Sequence, residues 1–390
     1  MSVNAPQGFV AAGLACGIKA SGAPDLALVA TDDGRPVPAA GVFTGNLAAA
    51  APVSLSRAHL DETGGQAAAV IISSGNANAA TGERGLGDAQ IMCALVGEGL
   101  GVATTDVLIC QTGLIGIPLP MTPIESGIPA LVTARAAGRV AAQAAATAIM
   151  TTDVVRKEIV VQGRGFIVGG MAKGAAMLAP NMATMLAVLT TDAACEPAEL
   201  KTALVAAVDA TFNRMTVDGC TSTNDTVLVL ASGRAETPND PEALVDALTE
   251  ACQALARMMA ADAEGGSRVV HVIVAGAGSD DEAHRAARKV ADSNLVKCSL
   301  NGEDPYWGRV VSELGSAGVA FDMGRVEVAY GDTVVCRRGV AADHDDKAVR
   351  MHMALAHVEI RCHLGLGTGT AAVMGVDLGH GYIDENRTTS

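Results

Sequence analysis

Residues 173 to 192 read Lys173-Gly-Ala-Ala-Met-Leu-Ala-Pro-Asn-Met-Ala-Thr184-Met-Leu-Ala-Val-Leu-Thr-Thr-Asp192. Met185 to Leu189 is an unbroken apolar run, as expected of a strand buried on both faces. Gly174 to Asn181 contains Gly, Pro and Asn and reads as a turn or loop. Thr184 therefore stands where a loop delivers a hydroxyl to the mouth of a core strand. Two readings fit that position: a threonine that merely starts a strand, and a threonine placed to react.

The whole chain, at 390 residues, has room for a substantial core and two or three structural units. Apolar residues make up 49% and aromatics only 2%, so the core must be built of Ala, Val, Leu, Ile and Met. A net charge of −15 argues against nucleic acid or an anionic membrane as partner. The Ala-rich stretch Ala136 to Met150 is too short to span a bilayer and is interrupted by Arg139 and Gln143. The N-terminal Met-Ser-Val-Asn-Ala-Pro-Gln-Gly lacks the charged and apolar regions of a signal peptide. Nine cysteines without a Cys-x-x-Cys pair suit reduced thiols in the cytoplasm rather than a disulfide scaffold or a zinc site. His357, Glu359, Arg361 and His363 alternate with Val358, Ile360, Cys362 and Leu364, which reads as one strand with a wet face and not as a metal cluster.

On the N-terminal side, strands are expected from about Leu26, before the turn Phe43-Thr-Gly-Asn46, and over Ala67 to Ile72, which runs into the polar segment Ser73 to Gly82. Asp88 to Leu100 reads as a helix. Val107 to Cys110 reads as a strand leading into Gln111-Thr-Gly-Leu-Ile-Gly116. A Thr-Gly step directly after a core strand aims a hydroxyl and a backbone N–H at one point, the pair that a developing oxyanion needs. A glycine-assisted turn fits the same residues. Ala136 to Met150 is helical in composition and precedes Thr151-Thr-Asp153, and Ile159 to Val161 with Phe166 to Val168 reads as a hairpin. Gly163, Gly165, Gly169 and Gly170 do not fit G-x-G-x-x-G, and Lys173 precedes Gly rather than Ser or Thr, which excludes a phosphate loop. Beyond Thr184, helices are expected at Pro197 to Ala210, Pro241 to Ala261 and Asp281 to Ala291. Strands are expected at Val227 to Leu230, Val269 to Val274, Leu295 to Cys298, Val326 to Tyr330 and Val358 to Leu364.

The segment Lys173 to Leu186 resembles the self-cleavage segment of the ornithine acetyltransferases, the bifunctional glutamate N-acetyltransferases of arginine biosynthesis. The resemblance runs essentially end to end, through Phe43 to Asn46, Ser73 to Gly82, Thr112-Gly113 and Ile149 to Asp153. Departures are Ala176 where the family has Gly, Cys298 where it has Thr, Tyr306 where it has Asn, and a tail one residue short without the Tyr after Asn386. The resemblance implies a layered α/β sandwich of the ornithine acetyltransferase and aminopeptidase type with smaller C-terminal α/β units. In that layout 1–195 forms the catalytic sandwich, completed by about 366–390, with a second α/β unit at 196–267 and a C-terminal domain at 268–365.

It further implies cleavage between Ala183 and Thr184. The Thr184 hydroxyl attacks the Ala183 carbonyl, an N-to-O acyl shift follows, and hydrolysis frees the α-amino group to act as base for its own hydroxyl. Acetyl then passes from N-acetylornithine to glutamate through acetyl-Thr184, with Thr112 and Gly113 holding the oxyanion. Thr151, Lys173, Thr184, Glu264, Asn386 and Ser390 are the implied substrate contacts, the last mapping to Thr389 or Ser390. By charge, Lys173 suits a substrate carboxylate and Glu264 a substrate ammonium. The two fragments are expected to stay together as an α2β2 assembly, with no metal or organic cofactor. Use of acetyl-CoA as a second donor stays open, as does a related self-cleaving aminopeptidase.

Overall fold

The computed structural model describes residues 2–177, 185–235 and 240–387. They fall into two units, Met1–Asn213 with Thr221–Met259, and Arg214–Cys220 with Ala260–Thr389. The expected cleavage pair Ala183 and Thr184, and the tail residues Thr389 and Ser390, lie outside the described residues.

The strand Leu26–Thr31 explains the layering of the first unit. Ala27 and Val29 face one cluster of buried side chains, while Leu26, Leu28 and Ala30 face another. A strand covered on both sides has no polar face, so it reads as an apolar run. It belongs to a four-stranded sheet in the order Phe9–Leu14, Leu26–Thr31, Ala69–Asn76, Val107–Leu114. On one side this sheet packs against Met92, Cys93 and Val96 of the helix Gly82–Leu100 and against Ile124, Ile128 and Leu131 of the helix Met121–Ala134. On the other side Val29, Val70 and Leu108 meet Met171, Val188 and Leu228 of a second sheet.

That second sheet has six strands, ordered Gln66–Ala67, Val37–Phe43, Thr226–Ala231, Leu186–Thr191, Ile167–Lys173, Lys157–Gln162. The helix Pro197–Ala210 covers the strand Val37–Phe43, and Leu255 of the helix Pro241–Ala261 reaches Gly170. The result is helix, sheet, sheet, helix: a layered α/β sandwich.

The second unit is one six-stranded sheet backed by helices. Its strands run Val340–Ala341, Thr333–Arg337, Glu327–Tyr330, His357–His363, Val269–Ala277, Gly369–Val376. The helix Asp280–Ala291 lays Ala283, Ala286, Ala287 and Val290 over Val270, Val272 and Val274. Ser279 caps it by accepting from the Glu282 N–H, and acidic residues in its first turn with Arg288 and Lys289 in its last complement the helix dipole. In the strand His357–His363, Val358, Ile360 and Cys362 are buried while His357, Arg361 and His363 are exposed, the wet face expected.

The structure departs from the expected layout in three places. The segment 196–267 is not a separate unit: its strand Thr226–Ala231 pairs with both Val37–Phe43 and Leu186–Thr191 inside the first unit's sheet. The segment from about 366 does not complete that sandwich, because Gly369–Val376 pairs antiparallel with Val269–Ala277 in the second unit. Leu295 to Cys298 is not a strand but part of the helix Asn294–Asn301. Ser293 caps that helix by accepting from the Val296 N–H, and Val296 and Leu300 bury at a four-residue spacing, a signal too short to separate from a strand in sequence.

Candidate active site

Parallel pairing of Ala69–Asn76 with Val107–Leu114 brings the ends of both strands to one place. Gly113 sits there at φ +130, a conformation that favours glycine, and a Cβ on it would lie 2.3 Å from the Gly75 carbonyl carbon. The glycine is therefore needed both for its backbone angle and for the close approach of two strands. Thr112, beside it, is only 3% exposed. Its hydroxyl oxygen accepts a hydrogen bond from the Lys173 ammonium at 3.3 Å.

Lys173 ends the strand Ile167–Lys173 and is itself buried. Its ammonium stands 4.0 Å from the Asp153 carboxylate, which also takes a hydrogen bond from the Lys157 ammonium at 2.6 Å. The backbone N–H groups of Gly174, at 2.7 Å, and Thr151, at 3.1 Å, complete the set. Burial alone would raise the Asp153 carboxyl, but Lys173, Lys157 and the Gly174 N–H outweigh it and bring it down to about 2. Asp153 is thus ionised at neutral pH and ties Thr151 and Lys173 into one cluster with Thr112. The residue before Thr151 is held too, since Lys19 donates to the carbonyls of Pro24 and Met150, both at 2.7 Å.

Below this cluster a chain of buried amides fixes the strand ends. Asn78 donates to the Gln111 side-chain oxygen at 2.8 Å, Gln111 donates to the Ser73 hydroxyl at 3.1 Å, and Asn224 donates to the carbonyls of Ala77 and Gln111. The next residue, Asp225, is fully buried and accepts the Met185 N–H at 2.8 Å.

Of the residues singled out in the sequence, Thr112, Gly113, Thr151 and Lys173 come together in the first unit. Glu264 and Asn386 come together in the second, where the Asn386 amide donates to the Glu264 carboxylate at 2.8 Å. Ala183, Thr184 and Ser390 lie outside the described residues. Sequence reading missed Asp153, Lys157, Asp225 and the amide chain. Asp153 closes the Thr-Thr-Asp triplet and pairs with Lys157 at the start of the next strand, outside any helix, so no spacing rule marked the pair in sequence. Among the described residues no group of three or more His, Cys, Asp or Glu is placed to hold a metal ion. Among them, too, no helix is long and apolar enough to cross a membrane.

A family model described as the ArgJ family matches residues 10–388. The arginine biosynthesis bifunctional protein ArgJ of Mycobacterium leprae is 46% identical over 394 residues, covering 100% of this chain and 95% of its own length. Its counterpart from Streptomyces avermitilis is 44% identical over 390 residues and is covered completely, as is this chain. A crystal structure of the bifunctional protein argJ from Bacillus halodurans aligns at 35% identity and TM-score 0.49, over 51% of this chain and 96% of that one. With identity of this order along its whole length, the chain belongs to the ArgJ family.

Proposed function

We propose that this enzyme of arginine biosynthesis moves an acetyl group from N-acetylornithine to glutamate through an ester on Thr184, giving ornithine and N-acetylglutamate. The observation that carries the reading is the convergence of Thr112, Gly113, Thr151 and Lys173 around Asp153, at the ends of strands in one unit. Chain cleavage frees the Thr184 amine, which takes the proton of its own hydroxyl as that hydroxyl attacks the acetyl carbon. The oxyanion that forms is met by the Thr112 hydroxyl and the Gly113 N–H, donors already fixed before reaction. Lys173, by accepting no proton and donating to Thr112, leaves the Thr112 hydrogen directed elsewhere, toward the developing charge. Ornithine leaves, glutamate attacks the ester through its amine, and Thr184 is regenerated. Charge complementarity assigns Lys173 to a substrate carboxylate and Glu264 to a substrate ammonium, with Thr151, Asn386 and a tail hydroxyl, Thr389 or Ser390, as further contacts. The ester carries the acetyl group, so the cycle uses no metal or organic cofactor, and acetyl-CoA is a second acetyl donor to the same threonine. The fragments 1–183 and 184–390 remain associated as α2β2 in the cytoplasm.

The test is a Thr184→Ala variant beside the unaltered chain. The unaltered 39.2 kDa chain is expected as two fragments, the second beginning at Thr184, and the variant as one intact and inactive chain. Acetyl transfer surviving in the intact variant would overturn the reading. Supplying acetyl-CoA as sole donor to glutamate tests the second activity separately.

A further inference from the structure

Two segments leave the second unit's sheet side by side. The strands Val269–Ala277 and Gly369–Val376 are antiparallel neighbours, with Val269 opposite Val376. Ahead of Val269 lies the turn that carries Glu264, and beyond Val376 lies the segment that carries Asn386. The turn is closed by the Gly266 N–H, which donates to the Ala263 carbonyl at 3.0 Å. Gly265, at φ +62, fills its left-handed position.

Asp377 is the first residue past the strand Gly369–Val376, and its side chain is fully buried. One carboxylate oxygen accepts the N–H groups of Ser267 at 2.7 Å and Arg268 at 2.9 Å. The other accepts the Ser267 hydroxyl at 2.6 Å and the Asn301 amide at 2.7 Å. The Asp377 N–H in turn donates to the Arg268 carbonyl at 3.1 Å. Burial alone would raise the Asp377 carboxyl, but the Asn301 amide, the hydroxyl and N–H of Ser267 and the Arg268 N–H outweigh it and hold it below the usual carboxylate range. A buried carboxylate so fully used by donors makes a rigid joint. That joint fixes the chain just past Glu264.

The turn is gripped from its other side as well, since the Asn386 amide donates to the Glu264 carboxylate at 2.8 Å and the Gly265 N–H donates to Glu385 at 3.2 Å. Glu385 and Asn386 are exposed, so water competes for both of those bonds, whereas the Asp377 joint is dry. One stretch of chain thus holds the Glu264 turn twice, firmly by Asp377 at its start and more weakly by Glu385 and Asn386 at its end. We propose that Asp377 is a positioning residue for substrate choice: by fixing the stem of the turn, it sets where the Glu264 carboxylate meets the terminal ammonium of N-acetylornithine. This inference deepens, and rests on, the assignment of Glu264 to that ammonium. A displacement of about 1 Å in a positioning group is enough to cost about 10²-fold in rate, so a loosened stem shows in the kinetics. The loss falls on a donor that carries the ammonium and spares one that does not.

The experiment compares two acetyl donors on the purified full chain: N-acetylornithine, and N-acetylnorvaline, which has the same carbon skeleton without the terminal ammonium. The readout is the preference, the ratio of their kcat/KM values. Glu264→Gln is expected to lower the preference, because only one donor carries the ammonium. Asp377→Ala is expected to lower it about ten-fold or more, the size of a lost hydrogen bond to a charged group. Asp377→Asn keeps an oxygen for the N–H groups of Ser267 and Arg268, and should recover part of the preference. In a Glu264→Gln background, Asp377→Ala should lower the preference no further. A merely structural Asp377 would slow both donors alike and leave the preference unchanged, a result that overturns this inference alone. An unchanged preference in Glu264→Gln overturns the ammonium assignment and the inference with it. Should Asp377→Ala not accumulate as folded protein, Ser267→Ala removes only the hydroxyl bond to the same carboxylate. An unchanged preference in both Ser267→Ala and Asp377→Asn then overturns the proposal.

Discussion

The Lys173 ammonium donates to the Thr112 hydroxyl across 3.3 Å, with both side chains buried. A hydroxyl that accepts from a fixed cation has its own hydrogen turned away from it, and so becomes an oriented donor. Thr112→Ala is therefore expected to lower kcat by about 10²–10³ with little change in KM, because the hydroxyl acts on charge present only in the transition state. Thr112→Ser should recover most of the rate. A loss confined to KM would make Thr112 a binding residue. Cleavage must be complete in each variant before the kinetics are read.

Asp153 is expected to govern stability as well as geometry. Its carboxyl titrates near 2 in the folded protein against an ordinary 3.8. A lowered carboxyl contributes stability that is whole above the unfolded value and lost as pH falls through the folded one, so the window lies between about pH 4 and 2. The shift corresponds to about 2 kcal/mol. At neutral pH Asp153→Asn removes the carboxylate that two buried ammonium groups face, a change expected to cost about 3–5 kcal/mol. Urea unfolding at pH 7 and pH 3 checks both points: the gap between Asp153→Asn and the unaltered protein narrows on acidification. An equal gap at both pH values would assign the stabilisation to other groups.

Much of this fold was legible because its strands are buried on both faces. Continuous apolar runs at Leu26, Val107, Met185 and Val227 announced core strands, and Pro197–Ala210 and Pro241–Ala261 were bounded by proline starts. The helix Met121–Ala134 escaped because Pro123, Gly127 and Pro129 lie inside it, although Ile124, Ile128, Leu131 and Val132 keep a helical stripe. Unit boundaries escaped for a different reason. Whether Thr226–Ala231 joins Leu186–Thr191 depends on pairing across forty residues, which local pattern does not encode. The same holds for the site: Thr112 and Gly113 were visible as a step after a strand, whereas Asp153 and Asp225 acquire meaning only from partners brought in by the sheet.

Gly113 and Gly116 offer a direct test of the close strand approach. Both have positive φ, +130 and +81, but a Cβ at Gly116 meets nothing within 4 Å while one at Gly113 meets the Gly75 backbone at 2.3 Å. Gly116→Ala pays conformational strain alone, about 1–3 kcal/mol. Gly113→Ala adds a clash with backbone that has no side-chain freedom to relieve it, and displaces the N–H proposed to meet the oxyanion. We expect Gly113→Ala to melt lower than Gly116→Ala and to lose far more activity. Equal melting temperatures would mean the two strands separate without cost.

The tail is tied back within the second unit by polar contacts of two neighbouring residues, Glu385 and Asn386. Asn386 donates to the Glu264 carboxylate at 2.8 Å, and the Gly265 N–H donates to Glu385 at 3.2 Å. Gly265, at φ +62, packs so closely that a Cβ there would lie 2.0 Å from the Tyr382 nitrogen. Glu264 is buried while Asn386 is exposed, so the amide fixes the direction of a carboxylate assigned to the substrate ammonium. Removing a hydrogen bond to a charged group costs about 1.5–3 kcal/mol, and a misdirected Glu264 passes that loss to substrate binding. Truncation after Glu385, or Asn386→Ala in the full chain, is expected to raise KM for N-acetylornithine about ten-fold or more. Asn386→Asp should do worse, because it sets a second carboxylate against Glu264. Self-cleavage should proceed normally in all three, since the proposed oxyanion donors Thr112 and Gly113 belong to the first unit. KM and processing measured on the same preparations decide the matter: an unchanged KM removes Asn386 from the substrate site, and slowed processing ties the tail to cleavage instead.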